Sequence, residues 1–577
     1  MITRKTRFSI IDKLLNLIEK QRASDRLVMR LLFFTIIIFG ILFALSLNDK
    51  YSVIIPTSGG SLTEGIVGIP RFVNPALAIT RADQDVTSLI YEGLLRIGQN
   101  GELEPALAKN VTVSENGLIY DIELRQDIFF HDGTPITVED VVFTIDLIKN
   151  PDLKSPLRGN WTDTVIEPIN DNELKIILKE PYSPFIENLT VGIMPSHVWG
   201  DLLIEQLPFS QYNTEPIGSG PFAITSISRD ESGLIKTYTL KPNQYSDTKA
   251  NLNEIKLRFF QNEKSLSSAL QNNEITSTVY LPTSELAKLE PDKFQVISRP
   301  LPRIFGIFFN QNRSTALRDK AAREALNLTI DRQLIIAETL DGYGVPTLRP
   351  VLFKENTLES NDTDLTNSSS TLEQATEVLK AGGWNKNDSG VWEKEIDKSV
   401  ETLSVTIKTS NSELFNKTAN LIAKNWRELG VEVQVEQYEQ AGLVQSVIRS
   451  RDFQALLFGV DMNRTQDLYP FWHSSQKDDP GLNVSQYTNV SVDDLLEKIR
   501  TTTDAFERQE IMLEVNDTIT KEVPAIFLFA PEVNYVVSKD INIDMIDNLG
   551  KPSDRFTNIA KWHAKTETLW PIFHNNE

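Results

Sequence analysis

The sequence predicts an α/β body of more than one lobe, set behind a single N-terminal apolar segment. Three observations carry this. The chain has 577 residues, more than one hydrophobic core usually serves, so it is expected to divide. Stretches with a two-residue apolar period interleave with stretches of helical period, the pattern of sheets covered by helices. One run, 31–47 (LLFFTIIIFGILFALSL), carries no charge at all.

That run, extended back to Leu27, is about 20 residues and spans a bilayer core of roughly 30 Å as a helix. Residues 1–30 hold eight basic residues against three acids, while the remainder of the chain is −26. The positive-inside rule then makes 1–26 a cytoplasmic basic tail and 27–47 a single-pass transmembrane anchor, with the C-terminal body extracellular or periplasmic. A cleaved signal peptide ending near Ala44-Leu45-Ser46 is the rival reading, against which stand the long basic region and long apolar stretch. Residues 8–20 (FSIIDKLLNLIEK) have helical periodicity and are expected to lie on the inner membrane surface. Residues 48–60, ending in Gly59-Gly60, read as a linker.

A strand is expected over 61–67 and a helix over 83–95, the latter from Val86, Leu89, Ile90 and Leu94. Tyr120, Ile122 and Leu124 alternate with charged residues as a half-buried strand, and 128–130 reads as another, closed by Asp132-Gly133. Thr137 and Asp140 form a capping box for the next helix. Leu174, Ile176 and Leu178 make a further strand. In the second half, 302–310 (PRIFGIFFN) is an apolar strand and 319–328 and 331–340 are helices. Residues 355–370 form a polar loop, and a helix over 371–381 stops at Gly382-Gly383. Leu403, Val405 and Ile407, then 412–428, then Val431, Val433 and Val435 spell strand, helix, strand.

Composition excludes several chemistries. There is no cysteine, hence no disulfide, thiolate metal site, cysteine nucleophile or acylated-cysteine anchor. The acidic body would repel nucleic acid. Five histidines without zinc-helix spacing give no metal site, and no phosphate-cradling loop is present. His131-Asp132-Gly133 reads as a structural turn. Gly218-Ser219-Gly220 lacks the spacing of a nucleophile elbow and reads as a backbone crossing. No catalytic residue and no cofactor is expected.

Several blocks in order resemble the extracellular solute-binding protein family 5, which includes oligopeptide- and dipeptide-binding proteins of ABC importers. They are Tyr91-Glu92-Gly93-Leu94-Leu95, Leu103-Glu104-Pro105-Ala106-Leu107-Ala108, 120–125 (YDIELR), and Phe130-His131-Asp132-Gly133-Thr134-Pro135 with Glu139-Asp140-Val141. Downstream, 194–199 (MPSHVW), 216–222 (PIGSGPF), Arg323-Glu324-Ala325-Leu326 with Asp331-Arg332, Trp472-His473-Ser474-Ser475, and 522–527 (EVPAIF) agree. The resemblance covers about 60–540. It implies a two-lobed, periplasmic-binding-protein-like clamshell of type II with an extra subdomain. Lobe I is expected to be 57–99 plus 206–300 plus 535–577, the extra subdomain 100–205, and lobe II 301–534, with hinges near 299–303 and 530–536. It further implies a monomer that binds a peptide ligand and delivers it to permease subunits. The alternatives are a non-peptide cargo such as a nickel chelate, haem, an opine or an oligosaccharide, or an anchored peptidase.

By the same resemblance, one ligand wall comes from 68–72, with Gly68 and Phe72 at its ends, and another from 457–461. Family members place an ammonium-binding aspartate after a Gly-Trp pair; here Gly459 precedes Val460. Counted without a gap, Asn463 falls at the aspartate position, with Asp461 and Asp467 near enough to substitute. Trp472 either lines the pocket or packs the lobe.

Overall fold

The computed structural model describes residues 22–99, 101–352, 368–462 and 464–569. The amphipathic stretch 8–20, most of the polar loop 355–370, and Asn463 lie outside the described residues. The chain forms two compact units, one of Met1–Gly59 with His563–Glu577 and one of Gly60–Trp562.

In the first unit, a 29-residue helix spans Ala23–Tyr51. Its side chains from Leu27 to Leu45 include exposed leucine, isoleucine and phenylalanine on every face. Among the described residues no helix is long and apolar enough to cross a membrane, the run 27–43 being too short. The expected linker is structured: Val53–Thr57 is a strand that pairs antiparallel with Lys565–Leu569. Five residues of backbone donors and acceptors find partners this way, in a two-stranded sheet of their own.

The second unit is built on one large mixed sheet whose two halves share a strand. Ala525–Ser538 is 14 residues long. Its first part pairs with Arg303–Phe309, and its last part with Phe294–Pro300 and Ser277–Thr278. From Ser277–Thr278 the sheet runs outward through Ser61–Val67, Glu254–Phe260, Ile235–Pro242 and Phe222–Arg229. From Arg303–Phe309 it runs through Ala455–Asp461, Ser404–Ser410 and Glu432–Tyr438. The last two are parallel and joined by helix Glu413–Leu429, the strand-helix-strand unit that the periodicity predicts.

Arg303–Phe309 shows why the central strands read as unbroken apolar runs. Phe305, Ile307 and Phe309 point into the core beneath helix Glu413–Leu429, and Ile304 and Phe308 into the opposite core around Trp472. Alternate side chains take opposite faces, and both faces are buried. Two buried arginines fasten this half. Arg323 donates to the carbonyls of Leu317, Arg318, Glu522 and Val523. Arg332 donates to those of Thr347 and Phe527 and to Asn327 Oδ1, and burial pulls its pKa down to about 10. Their helices, Lys320–Leu328 and Arg332–Leu340, start at the capping aspartates Asp319 and Asp331.

A separate four-stranded antiparallel sheet comprises Ala108–Val113, Ile119–Leu124, Glu173–Leu178 and Thr164–Asn170. Helix Val138–Lys149 has the predicted capping box, with Thr137 N–H donating to Asp140 Oδ2 at 2.9 Å. Two expectations need correction. Residues 128–130 make only an isolated bridge, Phe129 to Pro135, because the chain turns at once through Gly133 at φ +87°. The helix expected over 83–95 ends at Ile90, and Leu95–Ile97 is a strand. The reason is a chain crossing: a Cβ on Gly93 would stand 2.7 Å from the Thr190 carbonyl, and one on Gly192 would stand 2.5 Å from Tyr91 Cβ.

Candidate functional site

That crossing forms the floor of a cavity of about 440 Å³, a size suited to a small organic ligand or short peptide. Helix Arg81–Ile90 presents Gln84, Thr87 and Ser88 to it; Tyr91, Glu92 and Gly93 follow where the helix ends. The walls are completed by 157–161, 187–192 and 550–561, and by Arg464 from the far half of the sheet.

A buried charge cluster holds two of these walls together. Arg555 donates from Nη1 to Asp85 Oδ1 (2.7 Å) and from Nη2 to Asp85 Oδ2 and Glu64 Oε1 (both 2.8 Å). Glu64 also accepts from Tyr535 and Ser277, and Asp85 accepts from Tyr280. Asp85 lies on the helix whose other face lines the cavity, and Arg555 lies beside the lining residues Asp554 and Phe556. Burial pushes the Glu64 carboxyl up, while Arg555, Ser277 and Tyr535 pull it back. A cluster this buried is sound only because each charge has partners.

Unpaired buried polar atoms occur elsewhere in the interior, and several gather on the cavity wall. Thr87 Oγ1, Tyr91 Oη, Ser553 Oγ, Asn558 Nδ2, and Arg464 Nε and Nη1 are buried polar atoms with no hydrogen-bond partner among the described residues, and all line this one cavity. Native interiors pair such groups, so a concentration of unpaired ones around one space marks a surface prepared for a polar guest. Burial raises the Tyr91 hydroxyl far above its ordinary pKa, so it stays a neutral donor and acceptor. Glu92 is raised by burial too, opposed by Arg96 and Arg125. Facing charges are mixed, with Glu92, Glu104, Glu187 and Asp554 against Arg96, Arg464, Lys551 and Lys561.

The residues expected from sequence to touch ligand, where described, lie outside the lining of this cavity. Gly68 adopts φ +102° and donates to the Phe260 carbonyl. The backbone N–H groups of Arg71 and Phe72 both donate to Asp83 Oδ1, at 2.7 and 2.9 Å. Asp461 is half-exposed and bound to Arg303. Asp467 is buried, accepting from Arg500 Nε and Nη2 at 3.2 and 3.0 Å and from Tyr182 at 3.3 Å. Trp472 packs in the core against Phe308, Tyr487 and Phe527. None of these five lines the cavity. The residue from that loop which does is Arg464, a lone base between the two aspartates. Its charge, opposite to the one sought, is the signal that sequence reasoning passed over. Tyr91-Glu92-Gly93 was legible as a block, but as a mark of fold rather than of the cavity.

His131-Asp132-Gly133 is structural, as its turn context implies. The His131 Nε2 donates to the Gly220 carbonyl (3.1 Å) and Nδ1 accepts from Gly218 N–H (3.4 Å). The segment it braces crosses helix Arg81–Ile90 so closely that a Cβ on Gly218 would lie 2.1 Å from the Ile90 carbonyl oxygen.

The chain is similar to known proteins over most of its length. Over 519 residues the chain is 25% identical to the oligopeptide-binding protein AppA of Bacillus subtilis (strain 168), covering 88% of this chain and 92% of that one. It is 22% identical to the dipeptide-binding protein of Escherichia coli (strain K12), covering 85% and 93%. The structure of AppA from Bacillus subtilis in complex with a nonapeptide superposes with a TM-score of 0.64 at 24% identity, covering 88% of this chain and 99% of that one, which shows a shared fold. These relatives are binding proteins, not enzymes. Residues 102–481 match the model of the bacterial extracellular solute-binding proteins, family 5 Middle, and the chain belongs to that family.

Proposed function

We propose that this chain captures peptides in the cavity beneath Tyr91-Glu92-Gly93 and delivers them unaltered to the permease of an ABC importer. The observation that carries the reading is the gathering of unpartnered buried donors and acceptors around a single space of about 440 Å³. Peptide main chains supply complementary groups at regular intervals, whatever their side chains. The AppA structure was obtained with a nonapeptide, which supports the same class of guest. In this reading 301–534 closes over 57–99 and 206–300, with 100–205 as an added wall. The chain bends where it crosses between halves at Leu301 and Pro531.

We further propose that the chain is tethered to a membrane by the apolar helix Ala23–Tyr51. Its apolar side chains from Leu27 to Leu45 are exposed all round, which water disfavours and lipid accommodates. The basic residues before it place 1–26 on the cytoplasmic side.

Native mass spectrometry of the full chain, purified in mild detergent from its host, tests the capture reading. Co-purified short peptides of mixed sequence are expected. A single non-peptide cargo would replace it with the alternative of a dedicated opine or chelate receptor, and turnover of peptides would overturn the non-enzymatic role. For the anchor, the chain is expected to stay with membranes through alkaline carbonate extraction. A mature N terminus following Ser46 would refute it.

A further inference from the structure

We propose that Arg464 anchors a carboxylate on the cargo, so that the loop between Asp461 and Asp467 reads an acid rather than an ammonium. This rests on the peptide-capture reading.

The side chain of Arg464 is 7% exposed and lines the cavity. One nitrogen, Nη2, is tied to Glu187, while Nε and Nη1 have no partner among the described residues. A guanidinium carries five N–H donors and no acceptor. Leaving buried donors of a cation unmade is more unfavourable than leaving neutral ones, so the wall is incomplete without an acceptor from outside the protein. The planar fork matches the two oxygens of a carboxylate.

Neighbouring charges leave the choice of guest to Arg464. Asp461 is engaged by Arg303 and Asp467 by Arg500, so neither acid of the loop is presented to the cavity. Glu187 neutralises Arg464 only as a pair. Lys551, Lys561 and Arg96 share the lining with Glu92, Glu104 and Asp554, so the two unpaired nitrogens of Arg464 set the preference. An ammonium brought to the same spot would meet a buried cation.

The acid could be a peptide's free C terminus or an acidic side chain, and the test separates them. The full-length chain is dialysed to equilibrium against three pools of short peptides, read by mass spectrometry. The first has free C termini and no Asp or Glu; the second is the same pool amidated; the third is amidated and contains Glu. Retention of the first over the second assigns the C terminus, and retention of only the third assigns a side chain. R464Q is expected to lose roughly 30-fold or more in affinity for the retained acid pool, with the amidated, acid-free pool unaffected. R464K, which keeps charge without the fork, should keep the preference for acid with a smaller loss, and thermal melts establish that both variants fold. Equal retention of all three pools, or R464Q retaining the acid pool as well as the parent, would overturn the inference and leave peptide capture standing. Retention of no pool would overturn both.

Discussion

Arg555 and Arg464 are both buried arginines beside carboxylates, and they differ in what is left over. The two terminal nitrogens of Arg555 make four hydrogen bonds, to Asp85 twice, to Glu64 and to the Pro552 carbonyl. Among the described residues Arg464 has one partner, and two of its nitrogens have none. Only Nε of Arg555 lacks a partner among the described residues, and this first cluster ties the helix Arg81–Ile90 to the segment Pro552–Phe556. The second is open toward the cavity. Burial of charge therefore marks scaffold when both terminal guanidinium nitrogens are engaged by the protein and marks a site when one of them is left over beside a cavity.

The strongest way to break this contrast is Arg555→Ala. It strands two carboxylates in a fully buried place and is expected to lower stability by about 3–5 kcal/mol, read by urea denaturation. A loss below about 1 kcal/mol would show that the cluster is not a structural tie.

A second test uses pH. Burial holds the His131 pKa below its ordinary 6.5, against the opposing hydrogen bond to Gly220 and the Asp132 charge. The unfolded chain therefore takes up this proton first as pH falls. The contribution of His131 is complete above about 6.5 and is lost as pH drops from there through the folded value. Denaturation midpoints should fall over that window in the parent chain and fall less in His131→Gln. An equal slope in both would place the acid sensitivity elsewhere.

The contrast sharpens with Arg464→Gln, whose stability loss should be clearly smaller than that of Arg555→Ala, since it breaks one pair to the partly exposed Glu187 and gives up unmade bonds. A loss as large as that of Arg555→Ala would make Arg464 scaffold. Smallest of all is Asp461→Asn. Its pair with Arg303 is largely solvated, with side chains 47% and 37% exposed, so the expected change is under about 1 kcal/mol, with peptide retention unaltered. A marked loss of retention would return the ammonium-binding role to Asp461.

Much of the fold was legible because it is written in local periods. Tyr120, Ile122 and Leu124 alternate because one face of their sheet is buried, and Asp319 and Asp331 mark helix starts because their side chains take an orphan N–H. The misreadings have a shared cause. Leu94 continues a helical stripe, yet the helix stops at Ile90, because the carbonyls of 189–190 pass where a Cβ on Gly93 would sit. That neighbour is about 100 residues distant and leaves no trace in the local pattern. Asp83, which takes the Arg71 and Phe72 N–H groups, and Arg500, which engages Asp467, are likewise partners that no local pattern announces.

Taken alone, the amino-acid order determined the α/β class, the family, the apolar N-terminal helix and the absence of thiol chemistry, since each depends on composition or on residues a few positions apart. Only the tertiary structure decided which charges are spent on one another and which remain to meet a guest. Hydrogen-bond saturation is a property of three-dimensional neighbours. Arg464 and Asp467 stand three positions apart in the chain, and only the fold pairs one fully and leaves the other incomplete.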